Sequence, residues 1–81
     1  MKKKVILRIS YFKSQLNLMN ETLEKFTADL STDVISKTRF IIEYNPRGGY
    51  YNLFIHCESK KNALIIKELH DSYTVDRVFQ S

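Results

Sequence analysis

Residues 45–57 read NPRGGYYNLFIHC, a turn signal that opens directly onto a strand-like run and decides the fold. Pro46 has a preset φ that suits the first corner of a turn. Gly48 or Gly49 can take the left-handed conformation that closes a hairpin loop, and both glycines of the chain lie here. The stretch therefore predicts a β-hairpin whose second strand runs from Tyr50 to Cys57.

The elements on the amino-terminal side of this hairpin follow from hydrophobic periodicity. Within residues 5–10, one set of alternate residues is apolar throughout, and the residues between them would face outward. This alternation predicts a first strand with one face in the core. From Leu16 to Leu30 apolar residues recur in steps of three and four, which predicts an amphipathic helix that Ser31 to Asp33 end. Val34 to Tyr44 is rich in β-branched and aromatic residues, and we interpret it as the second strand.

On the carboxyl-terminal side, Ser59 is a good N-cap for a second helix that carries an apolar stripe as far as Tyr73. A short strand from Val75 to Phe79 then closes the chain. The resulting order is βαββαβ, which predicts one ferredoxin-like α+β domain over residues 1–81, with a four-stranded antiparallel sheet and two helices on one face. We expect the first and third strands at its centre, the second and fourth at its edges, and the basic residues 1–4 to be flexible.

Length and composition limit the kind of protein further. A chain of 81 residues buries a small core, so a partner or a second copy that covers apolar surface would add useful stability. The apolar run after the first lysines is too short for a signal peptide or a membrane span. Cys57 is the only cysteine, which excludes an internal disulfide. We therefore expect a soluble cytoplasmic protein.

The sheet face that the two helices leave open is the chemically distinctive surface of the prediction. It combines isoleucine and phenylalanine with arginine and lysine, the composition of a binding surface for protein or nucleic acid. Period-two geometry predicts that it carries one set of side chains, joined by Arg77 or Phe79. They are Ile6, Arg8, Lys37, Arg39, Ile41, Tyr50, Asn52, Phe54 and His56.

The βαββαβ order, the apolar strands and the terminal strand from Val75 to Phe79 resemble the ACT-type regulatory domains. The resemblance covers nearly the whole chain at the level of pattern, and it implies a regulatory module that assembles through its sheet. ACT domains that bind amino acids usually carry a glycine between the first strand and the first helix. Tyr11 to Gln15 contains none, so the resemblance does not extend to ligand binding.

The same topology resembles the RNA-recognition motif, which places stacking aromatics on its open sheet. Its third-strand pattern fits Gly49, Tyr50 and Leu53, whereas Tyr51 stands where a small residue is usual and Asn52 where a second aromatic is usual. This resemblance implies binding of single-stranded RNA. The residues that would contact phosphates and bases are Arg8, Lys37, Arg39, Tyr50 and Phe54.

No arrangement of residues predicts catalysis or a bound cofactor. His56 and Cys57 are adjacent on one strand and point to opposite faces, so they cannot begin a tetrahedral metal site. The acidic residues are scattered and form no recognisable pair for acid–base chemistry. We expect a non-enzymatic binding module that self-associates as a homodimer or docks onto a larger protein. RNA binding is the alternative, and a further alternative is an inhibitor or adaptor of the kind that phages and mobile elements encode.

Overall fold

The computed structural model describes the backbone of residues 4–80 and the side chains of residues 4–73. Strand β1 spans Val5–Phe12 and continues through a 3₁₀ turn, Lys13–Gln15, into helix α1 at Leu16–Asp29. The elements that follow are the short helix α2 (Thr32–Ser36), strand β2 (Arg39–Asn45), strand β3 (Tyr50–Cys57) and helix α3 (Lys60–Gln80).

The described strands form one antiparallel sheet of three strands in the order β1-β3-β2. Strand β3 is central, and its eight residues pair with β1 from Phe12 opposite Tyr50 to Val5 opposite Cys57. Its other side pairs with β2, where Asn45 lies opposite Tyr50. Both ladders are continuous, so alternate residues of all three strands share a face.

The β2–β3 hairpin that the sequence predicted is confirmed, with a loop over residues 46–49. Gly49 adopts a φ of 66°, and its N–H donates to the carbonyl of Asn45 at 2.9 Å. The Asn45 side chain accepts hydrogen bonds from the N–H groups of Arg47 and Gly48, which folds the chain into the corner. A Cβ on Gly48 would collide with the Tyr50 ring, so this glycine lets the ring lie against the turn.

The core lies between the sheet and the helices, with Phe26 of α1 at its centre and fully buried. The Phe26 ring stacks on Phe40 of β2 at 6.0 Å between centroids and contacts Tyr73 of α3 at 5.9 Å. Leu53 and Ile55 of β3 are also fully buried. Because β3 is the middle strand, its inward side chains are covered by β1 and β2 on the two sides and by the helices above them.

The prediction of a four-stranded ferredoxin-like sheet is wrong, because the structure has three strands and the predicted fourth strand does not form. The backbone from Val75 to Phe79 belongs to α3, which runs without interruption from Lys60 to Gln80. The physical reason is the absence of a stop signal, since this segment contains neither glycine nor proline. As a consequence β1, expected in the centre, is an edge strand.

The prediction of a second strand beginning at Val34 is also wrong, since residues 32–36 form α2 and β2 begins at Arg39. Helix α1 ends at Asp29, and Ser31 caps α2, because its Oγ accepts a hydrogen bond from the Val34 N–H at 3.3 Å. Val34 is buried from this helix rather than from a strand. Lys37, predicted on the strand, is the C-cap residue of α2.

Candidate binding surface on the open sheet face

The helices pack against one side of the sheet, and the other side carries a surface that we name the open face. Its members are the even-numbered residues of β1 and β3 and the odd-numbered residues of β2, as the registers require. Four rows cross the sheet from β1 through β3 to β2. They are Ile6–His56–Arg39, Arg8–Phe54–Ile41, Ser10–Asn52–Glu43 and Phe12–Tyr50–Asn45.

Large apolar side chains on this face are in contact with solvent. Phe12 is 70% exposed and Ile6 is 56% exposed, and both belong to the edge strand β1. The half-buried members of the face are Phe54, Ile41 and Tyr50. Neighbouring strands shield Phe54 and Tyr50 of β3 on both sides and Ile41 of β2 on one side. An exposed side chain of this size forgoes about 1.5 to 3 kcal/mol relative to full burial, so a partner that covers the face would gain from it.

Positive charge surrounds this apolar centre. Arg8 and Arg39 lie on the open face itself, and neither forms an ion pair with another residue in the described part of the chain. Lys4, Lys37 and Arg39 line a depression of about 140 Å³ at the end of the sheet, together with Glu58. Lys37 is already paired, because its Nζ lies 3.3 Å from the Asp33 carboxylate.

The opposite end of the open face has a shallow aromatic depression of about 290 Å³. It is lined by Arg8 and by Phe12 and Tyr50, which are direct cross-strand neighbours. At its base the Ser10 hydroxyl donates to Oδ1 of Asn52 at 2.8 Å. The Tyr50 hydroxyl accepts a hydrogen bond from Nδ2 of Asn45 at 2.9 Å, which fixes one aromatic wall.

No catalytic constellation accompanies these features in the part of the chain that the structure describes. Cys57 is 1% exposed, and burial raises the pKa of its thiol, so the reactive thiolate is disfavoured. His56 lies on the opposite side of β3 from Cys57, as the alternation predicted. Among residues 4–73, whose side chains the structure describes, no three histidine, cysteine or acidic side chains form a group suited to a metal ion.

The described helices also include none with the length and apolar character needed to cross a bilayer. Tyr73, a titratable group with a perturbed pKa, lies outside the open face. Burial, followed by its hydrogen bond to Asp29 at 2.5 Å, raises its pKa above the usual range. Lys25 lies 5.0 Å from the same ring, which marks a helix–helix contact between α1 and α3.

The structure brings most of the predicted surface residues together. The registers place eight of them on the open face, while Lys37 lies beside its end on α2. The sequence also predicts Arg77 or Phe79 on this face, and both side chains lie outside those that the structure describes. The eight are Ile6, Arg8, Arg39, Ile41, Tyr50, Asn52, Phe54 and His56.

Sequence reasoning missed Phe12, the most exposed large apolar side chain of the described residues. The alternation over residues 5–10 predicts a strand that stops short of Phe12, whereas β1 extends through it. The available signal was the alternation of the first strand, which continues through Ser10, Tyr11 and Phe12 with the aromatic Tyr11 buried.

Comparison with known proteins adds no relative: no family model, curated protein or solved structure matches this chain.

Proposed function

We propose that this chain is a non-enzymatic binding module that docks onto a protein partner through its open face. The supporting observation is the exposed apolar centre, to which Ile6 and Phe12 contribute the largest exposed surface. Arg8 and Arg39 flank it without carboxylate partners of their own in residues 4–73. An apolar centre with arginine around it is the composition of a protein interface.

The charge of the open face favours a partner with an acidic rim over a second copy bound face to face. Two copies in that arrangement would oppose two sets of arginines, and Glu43 is the one acidic residue among the open-face positions. Carboxylates of a different protein would instead form charge-assisted hydrogen bonds with Arg8 and Arg39. Self-association through this face therefore has the poorer electrostatic complementarity.

The experiment that tests this proposal compares two aliphatic residues of equal exposure. Ile6, on the open face, is 56% exposed, and Leu64, on α3, is 55% exposed. An affinity-tagged wild-type chain is used to capture partners from an extract of the source cell. We expect Ile6→Glu to abolish capture and Leu64→Glu to leave it intact, with both variants keeping the wild-type circular dichroism spectrum.

Loss of capture with both variants or with neither would contradict docking through the open face. A second face variant, Arg39→Glu on the far strand β2, should also lose the partner if charge contributes. Sedimentation velocity at high micromolar concentration covers self-association. A dimer that Ile6→Glu dissociates would show that the partner is a second copy.

Single-stranded RNA is a second candidate, favoured by the aromatic depression. Phe12 and Tyr50 lie side by side there with Arg8, which supplies two stacking rings and one phosphate-binding group. A labelled oligouridine should then bind at low salt, with an affinity that falls steeply as salt rises. Phe12→Ala should weaken binding about tenfold, as expected for loss of one stacked base. No binding at low salt would eliminate this candidate.

A further inference from the structure

Strand β1 presents a free edge over most of its length. It pairs with β3 on one side, and no strand of residues 4–80 lies on the other. The Lys13 N–H donates to the Gly49 carbonyl at 2.9 Å, on the β3 side. Because backbone groups alternate along an antiparallel strand, those of residues 6, 8, 10 and 12 point toward the free edge. The Phe12 N–H confirms this direction, since it donates to Oε1 of Gln15 at 2.8 Å instead of to β3.

A groove follows this edge on the side of the sheet that the helices cover. It consists of two adjoining depressions of about 360 and 210 Å³, which share Ile9, Ser10 and His70. Toward the start of β1 the groove lies against α3, and toward the end of β1 it reaches α1. The residues that line only one depression include Leu7, Ile66, Lys67 and Asp71 in the first and Gln15, Leu18, Thr22 and Tyr73 in the second.

The position of α3 beside β1 favours one added strand over a second copy. Neighbouring strands lie about 4.8 Å apart, whereas packed helices need about 8 to 10 Å between their axes. Residues 66–71 of α3 lie beside the edge residues of β1. Pairing β1 with its symmetry mate would therefore bring the two α3 helices, which lie beside these strands, toward each other. A single extended segment avoids this conflict.

We propose that the free edge of β1, beneath α3, is a strand-addition site for an extended segment of a partner polypeptide. The segment would pair with the backbone of Ile6, Arg8 and Ser10 and complete a four-stranded sheet. This site differs from the open face, since it uses the backbone edge of one strand and a groove on the helix side, although Arg8 borders both. The added strand would end before Phe12, because the Phe12 N–H already donates a hydrogen bond to the Gln15 side chain.

The two sides of the edge specify the side chains of the segment. On the helix side the groove offers Leu7, Ile9 and Ile66, which favour valine, isoleucine or leucine at every second position. On the other side the cross-strand neighbour of an added residue is Arg8, which favours glutamate or aspartate. The segment is therefore an extended peptide that alternates aliphatic with acidic residues.

A synthetic peptide that alternates valine with glutamate is the probe, and Ser10 is the position to change. The backbone N–H of Ser10 points toward the free edge, so Ser10→Pro removes one donor that the added strand needs, while edge strands tolerate proline. Ser10→Ala is the matched control, because both variants lose the hydroxyl bond to Asn52 but alanine keeps the N–H. Fluorescence anisotropy should show peptide binding that Ser10→Pro weakens about tenfold or more relative to Ser10→Ala.

A second measurement keeps the wild-type protein, in case Ser10→Pro does not fold. The same peptide with N-methyl groups on the residues that face the edge cannot donate to β1, and it should lose binding. A peptide of the same composition with its valines grouped together should bind weakly as well. Equal binding of the methylated and unmethylated peptides, or no binding of the parent peptide, would overturn the proposal.

The two proposals fail separately. Arg39→Glu lies on the far strand β2, so it should remove capture through the open face and leave peptide binding at the β1 edge unchanged. A dimer that Ser10→Pro dissociates and that the peptide cannot displace would overturn the proposal in favour of pairing between two copies.

Discussion

At the scale of single residues, the hairpin loop is the most strictly determined part of the molecule. Asn45 accepts hydrogen bonds from two backbone N–H groups of the loop through its side chain and from Gly49 through its carbonyl. Gly49 has the positive φ that this closure requires, and no atom beyond its chain neighbours lies within 4 Å of where its Cβ would be. Glycine is therefore favoured at position 49 because of the backbone conformation. At position 48 it is favoured because a Cβ would collide with the Tyr50 ring.

We expect Gly49→Ala to lower the free energy of unfolding by about 1 to 2 kcal/mol, because alanine at φ 66° places Cβ against its own carbonyl. Gly49→Asn is the matched control, since asparagine adopts this conformation more readily and should lose less. Urea unfolding followed by circular dichroism measures both. Equal stability of Gly49→Ala and the wild type would contradict the left-handed conformation.

At the scale of elements, α3 shows how the absence of a stop signal shapes the fold. Ser59 begins the helix, since its Oγ accepts from the Asn62 N–H at 3.2 Å and its carbonyl accepts from the Ala63 N–H. Beyond this cap the sequence contains no glycine or proline to end the helix before Gln80. The helix therefore takes the residues that a fourth strand would need, and the edge of β1 stays open.

Replacing Ser59 with alanine should lower the free energy of unfolding by about 1 kcal/mol, the usual loss for an N-cap. Ser72→Ala is the control within the same helix, because the Ser72 hydroxyl bonds only the Leu69 carbonyl at an exposed position. We expect that change to stay within about 0.5 kcal/mol of the wild type. Thermal unfolding of the two variants side by side would reveal a smaller effect at Ser59 if another group caps the helix.

At the scale of the whole molecule, the helical layer depends on Phe26. This ring touches aromatic side chains from β2 and α3, and it joins the helices to the edge of the sheet. The open face lies on the other side of the same strands, so its aromatics contribute nothing to this core. The core and the proposed binding surface thus lie on opposite sides of one sheet.

Two phenylalanine substitutions test whether stability depends on the helix side of the sheet and not on the open face. Phe26→Ala should lower the free energy of unfolding by about 3 to 5 kcal/mol, most of the stability of a domain of this size. Phe12→Ala, at a position 70% exposed, should change it by less than about 0.5 kcal/mol. Chemical denaturation provides both values. A large loss of stability for Phe12→Ala would mean that this ring packs within the molecule instead of facing a partner.

Local signals were sufficient wherever a residue acts on its immediate neighbours in the chain. Pro46, the two glycines and the alternation of residues 50–57 predicted the hairpin and the bounds of β3. Alternation within each strand also predicted that Arg8, Arg39 and Phe54 share one surface, and the registers place them there. Ser59 was likewise recognisable as a cap, because capping involves residues only three positions apart.

The sequence by itself determined the hairpin, the alternating faces and the mixed apolar and cationic character of the open face, since all three depend on local geometry. Only the tertiary structure decided that residues 32–36 are helical and that β1 lies at an edge. Short β-branched runs have similar local energies as helix and strand, and packing around the core selects between them. The edge of β1 is free because residues 75–79 belong to α3 and form no strand beside it.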